Sequence, residues 1–443
     1  MTTSLQETGS LSRPFWALWW ATTVSSLGDG VALVALPLLA VFLTHSALLV
    51  SAVVTVQTLP WLLVALPAGA VVDRMSPARA MAAADLARAG VMAALVGLLA
   101  AGDLSIGVLY GLAFLLGVFE TVYVGGAQSA IPQLVEGDGR SYANGLLIAS
   151  ETAGGHLAGP ALGGIVFALG RVIPFAADGA SFLASAGLVG SLRRRLPAPP
   201  RAQRSSLRAD MAAGLTFFRR SPLLKILAML TAGLAFFQAM VLAPLVVFAL
   251  RDLHLSETGY GIFLGMAAVG SIAGSLLAPK VRAHAGTGTI LTAAGFLAAA
   301  AYLAMSATSS PVVADVAFVA EALAVACGSV ASITLRQQHI PQALMGRVSN
   351  IFRTAIWGSI PVGALLGGVL AGDVGLRSPM IVAGALQIAL VLATALPMRR
   401  TVRGFEAPPG SAPAPPGPTP GSAPPSPGSY PGPPDSGAPP SAD

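Results

Sequence analysis

Residues 287–307 read TGTILTAAGFLAAAAYLAMSA, twenty-one residues without a charge. At 1.5 Å of rise per residue such a segment is roughly 31 Å long as a helix, which matches the hydrocarbon core of a bilayer. Segments of this kind recur along the chain with short polar breaks between them. They cover 15–43, 47–71, 80–101, 106–131, 143–169 and 172–192, then 223–249, 258–279, 287–307, 311–335, 346–371 and 377–397. Composition agrees: of 443 residues, 54% are apolar and 10% charged, where a soluble domain carries about 25% charged residues. A water-soluble enzyme is thereby excluded. The single cysteine, Cys327, rules out an internal disulfide and a cysteine-based metal site.

The net charge of +6 comes from 25 basic against 19 acidic residues. It is not the dense basic face of a nucleic-acid binder. With the N-terminus placed in the cytoplasm, 20 of the 25 basic residues fall at cytoplasmic ends and loops. Arg171, Arg251 and Arg377 lie on the opposite side, and Arg88 and Arg353 within helices. That asymmetry is the positive-inside pattern. The first twelve residues are polar without a basic n-region, so the first helix reads as an uncleaved anchor.

The two sets of six segments resemble each other. Ile131-Pro132-Gln133, Gly139-Arg140 and Asn144 recur as Ile340-Pro341-Gln342, Gly346-Arg347 and Asn350, and glycine and proline follow in both fifth helices (GPALGG at 159–164, PVGALLGG at 361–368). The sequence therefore predicts an all-α integral membrane protein of twelve transmembrane helices in two pseudo-symmetric six-helix bundles. Parallel repeats of this sort are a transporter architecture with the substrate cavity between halves. The expected organisation is a cytoplasmic N-terminal segment (1–12), a first bundle (13–192), a cytoplasmic linker (193–222), a second bundle (223–400) and a disordered Pro/Gly/Ser-rich cytoplasmic tail (401–443). In the linker, Leu207, Met211, Leu215 and Phe218 form one stripe of a helix flanked by arginines, read as a helix lying in the membrane interface.

The fifth-segment stretch GHLAGPALGG, Gly155 to Gly164, is similar to the antiporter signature of the major facilitator superfamily, with Gly155, Gly159, Pro160, Gly163 and Gly164 in register. The loop GAVVDRMSPAR resembles that superfamily's gating motif through Gly69, Asp73 and Arg74, with Arg79 beyond; the motif's next glycine and basic residues are replaced by Ser76, Pro77 and Ala78. The second-half counterpart, GSLLAPKVR from Gly274, lacks the Asp-Arg pair. SSLGDG at 25–30, RSYANG at 140–145 and PFAADGASF at 174–182 look like the bacterial drug and siderophore exporter branch, with macrolide-efflux-like and enterobactin-exporter-like members. The arginine that many proton-coupled drug exporters carry in the fourth helix is absent, and Glu120 lies in that helix instead. The resemblance implies a cytoplasmic latch at Gly69, Asp73, Arg74 and Arg79 that breaks when the halves reorient.

Ionisable groups inside membrane helices are functional candidates by default. Asp29 lies at the midpoint of the first helix, and Glu120 and Glu151 sit on consecutive antiparallel helices at similar depth. Those two are read as a proton or cationic-substrate site, and His156 on the signature helix as a titratable neighbour. Asp85 and Arg88, three apart, read as a structural pair, and Asp178 as a capping or hydrogen-bonding acid near the outer end of the sixth helix. Arg353 reads as an anion-attracting or snorkelling residue, Asp315 and Glu321 as weaker sites, and Trp16, Trp19 and Trp20 as an interface belt.

No nucleotide-binding loop and no nucleophile–base set occurs. The expectation is a secondary transporter without cofactor or metal, not an enzyme. It exports a small amphipathic or cationic molecule against protons by alternating access, as a monomer in the inner (plasma) membrane with both termini cytoplasmic. A uniporter or importer of the same fold, and then a non-transporting receptor, are the alternatives. Its partners are the substrate, protons and lipid, and no nucleic acid.

Overall fold

The computed structural model describes residues 11–64, 75–135, 139–196 and 207–406. The helices of the first half are α1 (Arg13–Leu43), α2 (Ala47–Leu63), α3 (Pro77–Ala101), α4 (Ile106–Leu134), α5 and α6 (Ile173–Gly190). Helix α5 runs through three pieces, Gly139–Glu151, a π-helical turn Thr152–Ala158, and Gly159–Leu169. The linker contributes α7 (Leu207–Arg220). In the second half, α8 comprises Pro222–Leu242 and Leu245–Arg251, followed by α9 (Glu257–His284), α10 (Thr287–Ala307), α11 (Pro311–His339), α12 (Gln342–Asp373) and α13 (Ser378–Glu406). Among the described residues, 11 helices are long and apolar enough to span a membrane; the remaining apolar helix, α2, is shorter at 17 residues.

Local chemistry places the helix ends. Ser46, Ser76, Ser105, Ser221 and Ser256 each accept a hydrogen bond from the backbone N–H three residues on, satisfying a donor the helix leaves free. Pro77, Pro222 and Pro311 open their helices at positions where no N–H is needed. Gly102 closes α3 in the left-handed conformation at φ 78°. The break in α8 falls at Pro244, and the π-turn of α5 ends just before Pro160, whose missing N–H loosens the ladder there. The sequence-predicted segments are recovered with ends that differ by a few residues, mostly longer, although the sixth, expected at 172–192, is shorter at Ile173–Gly190. Helix α13 continues past residue 400 to Glu406. The remainder of the predicted tail, and the predicted end of the second segment, lie outside the described residues.

With α7 set aside, each helix of the first half has a counterpart six spans later, so α1 matches α8, α2 matches α9 and α5 matches α12. The halves meet along two seams, α2 against α12 and α5 against α9, which exchange under that correspondence. The glycines of the repeated motif make both seams. A Cβ at Gly159 or Gly163 would run into the backbone of α1 at Gly30 and Val31, and one at Gly164 into α9 at Glu257 and Gly261. In the second half, Gly363 and Gly367 press on the Phe236 and Met240 carbonyls of α8, and Gly368 on Ser51 of α2. Small residues let backbones approach this closely in lipid. Gly30→Ala puts a methyl against Gly155 and Gly159. It is expected to cost about 1–3 kcal/mol, typical of overpacking, read as a lowered unfolding midpoint in detergent; an unchanged midpoint would contradict this packing.

The apolar core is uneven along the membrane normal. At the end away from the linker, one cluster runs across both halves, including Leu36, Leu39 and Phe167 of the first and Leu245, Phe248 and Phe263 of the second. At the linker end the cores are separate, one built on Met81 and Leu192, the other on Leu227 and Phe352. The two halves are thus cemented at the far end. There Arg251 donates to the His45 carbonyl across the halves at 3.0 Å, and Arg377 pairs with Asp252 at 3.1 Å. Helix α7 packs on the second half, with Phe218 edge-on to Phe352; its predicted stripe thus gives at least this ring to the protein core.

Candidate functional site

A cavity of about 190 Å³ opens between α1, α3, α4, α5 and α6, and Asp29, Glu120, Glu151 and His156 all line it. Helix periodicity sets their depth: Asp29 is fourteen residues from the far end of α1, and Glu120 fourteen from the far end of α4. Glu151 immediately precedes the π-turn of α5 and His156 lies within it, and the turn re-aims the helix face at this level. Asp29 is 46% exposed to this space. Among the described residues no hydrogen bond joins Glu120 to Glu151, although both face the same cavity.

Behind Asp29 stands Arg88, only 2% exposed. Its Nη1 lies 3.3 Å from Asp29 Oδ1, and its Nη2 donates to Asp85 and, at 3.2 Å, to Ser25 Oγ. The guanidinium is stacked between rings, with Cζ 4.1 Å from the Phe182 centroid and 4.7 Å from that of Tyr123. The Asp85–Arg88 pair expected from its spacing is present; the same arginine also reaches across to α1. Asp178, read from the sequence as a capping or hydrogen-bonding acid, accepts from Ser181 and is fully buried beside the cavity. The reason is Gly28, which has no side chain where α1 passes Asp178 and Ser181.

At the same level, an aromatic pair joins the halves. Trp61 of α2 stacks on Trp357 of α12 with centroids 4.3 Å apart and planes at 18°. One turn away, Arg353 donates to Gln128 of α4 at 2.9 Å, so this arginine binds a neighbouring side chain. In the second half, Glu321 is fully buried and accepts from Tyr302 at 2.7 Å and Gln238 at 3.3 Å. Trp19 donates to the Leu146 carbonyl at 3.1 Å and is partly buried, while Trp16 and Trp20 are exposed.

Of the predicted gating residues, Gly69, Asp73 and Arg74 lie outside the described residues; Arg79 sits exposed in the first turn of α3, its N–H on Ser76 Oγ. Gly155, Gly159, Pro160, Gly163 and Gly164 are buried where α5 is held between α1 and α9. Sequence reasoning left Gly28, Gly30, Trp61 and Trp357 unassigned. Only the glycines of SSLGDG offered a signal.

Comparison with known proteins adds the following. Residues 11–416 match the model of a family described as transmembrane secretion effectors. The multidrug efflux pump Tap of Mycolicibacterium fortuitum is 28% identical over 408 residues, covering 86% of this chain and 97% of that protein. Among solved structures, an inward-facing, occupied bacterial homologue of the human lysosomal transporter Spinster superposes with TM-score 0.68 at 17% identity, over 87% of this chain and 96% of that one. An inward-facing bacterial homologue of the iron transporter ferroportin gives TM-score 0.67 at 15% identity, over 87% of this chain and all of the other. At these identities, the two structures speak to the fold.

Proposed function

The chain belongs to the transmembrane secretion effector family of the major facilitator superfamily, and from that premise we propose that it is a proton-coupled exporter of a small amphipathic or cationic compound. Proteins of this superfamily are transporters and not enzymes, and this one is a multi-pass membrane protein with a small-molecule substrate. The observation that carries the finer reading is the cavity itself. Four carboxyl groups, Asp29, Glu120, Glu151 and Asp178, line it with one imidazole, His156, and one guanidinium, Arg88, so the acids outnumber the basic groups. Such an array attracts a cation and can exchange it for protons. The relative Tap, described as a multidrug efflux pump, favours export over uptake.

The transport cycle is a rocking of residues 13–192 against 223–400 about the two seams, with the signature glycines as the sliding surface. The linker end is cytoplasmic, as the arginine distribution argues, so both termini are cytoplasmic in the plasma membrane. The far-end cement corresponds to a state open toward the cytoplasm. Gly69, Asp73, Arg74 and Arg79 are the latch that reforms in the opposite state, and the monomer is the working unit. One charge moved down 100 mV supplies about 2.3 kcal/mol, enough for roughly a fiftyfold substrate gradient.

The test is proton-driven efflux from proteoliposomes, with a panel of lipophilic cations as cargo. Glu120→Gln and Glu151→Gln are each expected to reduce it to background. Full coupled efflux in both variants rejects the site, and uptake instead of efflux in the wild type rejects the direction.

A further inference from the structure

Asp178 of α6 is fully buried. The Ser181 hydroxyl is shared between the Asp178 backbone carbonyl at 2.8 Å and Oδ1 at 3.2 Å, while among the described residues Oδ2 has no hydrogen-bond partner. Asp178 shares the cavity wall with Asp29 and Arg88. Nearby, Asp85, Ser185 and the Tyr123 hydroxyl are buried together, with Ser185 beside both the Asp85 carboxyl and Tyr123. Arg88 serves the other acids: Nη1 is taken by Asp29 and Nη2 by Asp85 and Ser25, the rings of Tyr123 and Phe182 lie against the guanidinium, and its buried Nε makes no hydrogen bond to Asp178 among the described residues.

The charge count around this point is therefore unequal. Asp29 approaches from α1, Asp85 and Arg88 from α3, and Tyr123 from α4. Helix α6 carries no second ionisable group, and the Gly159–Leu169 piece of α5 that meets α6 carries none. One guanidinium faces three carboxyl groups. A buried carboxylate without a donor is costly, and a proton on Oδ2 of Asp178 removes that charge without asking anything more of Arg88.

We infer that Asp178 is the group that holds the coupling proton, while Asp29, Glu120 and Glu151 receive the positive charge of the substrate. This rests on the proton-coupled reading given above and adds a division of labour to it. When a cation docks at Asp29, its charge joins that of Arg88. The O–H bond at Asp178 Oδ2 then breaks and its proton passes to the water of the cavity. When the cation leaves, a proton returns to the same oxygen. Gly28 and Ser181 are positioning residues: the first leaves room for the carboxyl, and the second holds Oδ1 so that Oδ2 points free.

The experiment uses everted vesicles containing the full chain, energised to a stable pH gradient and challenged with tetraphenylphosphonium. Wild type is expected to dissipate the gradient on addition of the cation, and Asp178→Asn to respond at least tenfold less. A wild type that does not respond overturns the proton-coupled reading itself. A wild type that responds, with Asp178→Asn responding equally, overturns this inference alone. Should Asp178→Asn fail to fold, Ser181→Ala carries the test by infrared spectroscopy of purified protein at neutral pH. Loss of the hydroxyl is expected to shift a protonated-carboxyl C=O band, and a spectrum without such a band, or with one that does not move, overturns the assignment.

Discussion

Oxidation of a Leu48→Cys/Gly372→Cys pair is expected to lock the halves together and bring transport to background, with recovery on reduction. A Cβ at Gly372 would sit 3.6 Å from that of Leu48, inside the roughly 3.5–4.5 Å window for Cβ atoms of a disulfide. The pair spans the α2–α12 seam at the far end, where an opening toward that side must separate the two helices. The buried Cys327 is first replaced by alanine to leave one possible bridge. Ala161→Cys/Gly265→Cys, also 3.6 Å apart, tests the α5–α9 seam in the same way. The measurement is flux in proteoliposomes together with a gel shift for the crosslink. Unimpaired flux with the bridge fully formed would remove the rocking mechanism.

Replacing Arg88 is expected to be the most damaging single change in the polar cluster. Arg88→Ala leaves Asp85 fully buried without its counter-charge and takes from Asp29 its only basic partner among the described residues. Breaking a buried pair by deleting one member costs about 3–5 kcal/mol. The outcome is a large drop in unfolding midpoint and loss of flux. Arg88→Lys is expected to recover little, because a point charge on a flexible stem cannot fork between Asp29, Asp85 and Ser25. Arg88→Ala/Asp85→Ala is expected to recover stability without recovering transport. Thermal unfolding in detergent and flux measured on the same preparations check all three, and a wild-type midpoint for Arg88→Ala would show that the cluster does not hold the bundle.

The bundle was legible in the sequence because each of its signals is local. Apolar length is read within one segment, and the repeated IPQ and glycine motifs are read by spacing. Depth in the membrane is equally local, so helix position alone puts Asp29 at the midpoint of its helix and Glu120 and Glu151 at similar depth. What could not be read is azimuth. Whether Arg88 turns toward Asp85 alone or also toward a residue 59 positions earlier depends on how α3 is rotated against α1. The burial of Asp178 was hidden for the same reason: its hydrogen bonding is local, whereas the closeness of α1 at Gly28 that buries it is not. The seams are a third case, since Gly164 and Gly368 announce a close approach without saying to which helix.

The apolar cluster shared by both halves at the far end has a thermal consequence. Opening that mouth exchanges side-chain contacts for water, and newly wetted apolar surface raises heat capacity by about 0.45 cal/mol/K per Å². The balance between the two access states is then curved in temperature rather than fixed. Cooling weakens the drive to keep apolar surface dry, so a cold membrane shifts the resting population toward the form open at that end, before any cargo or ion is considered.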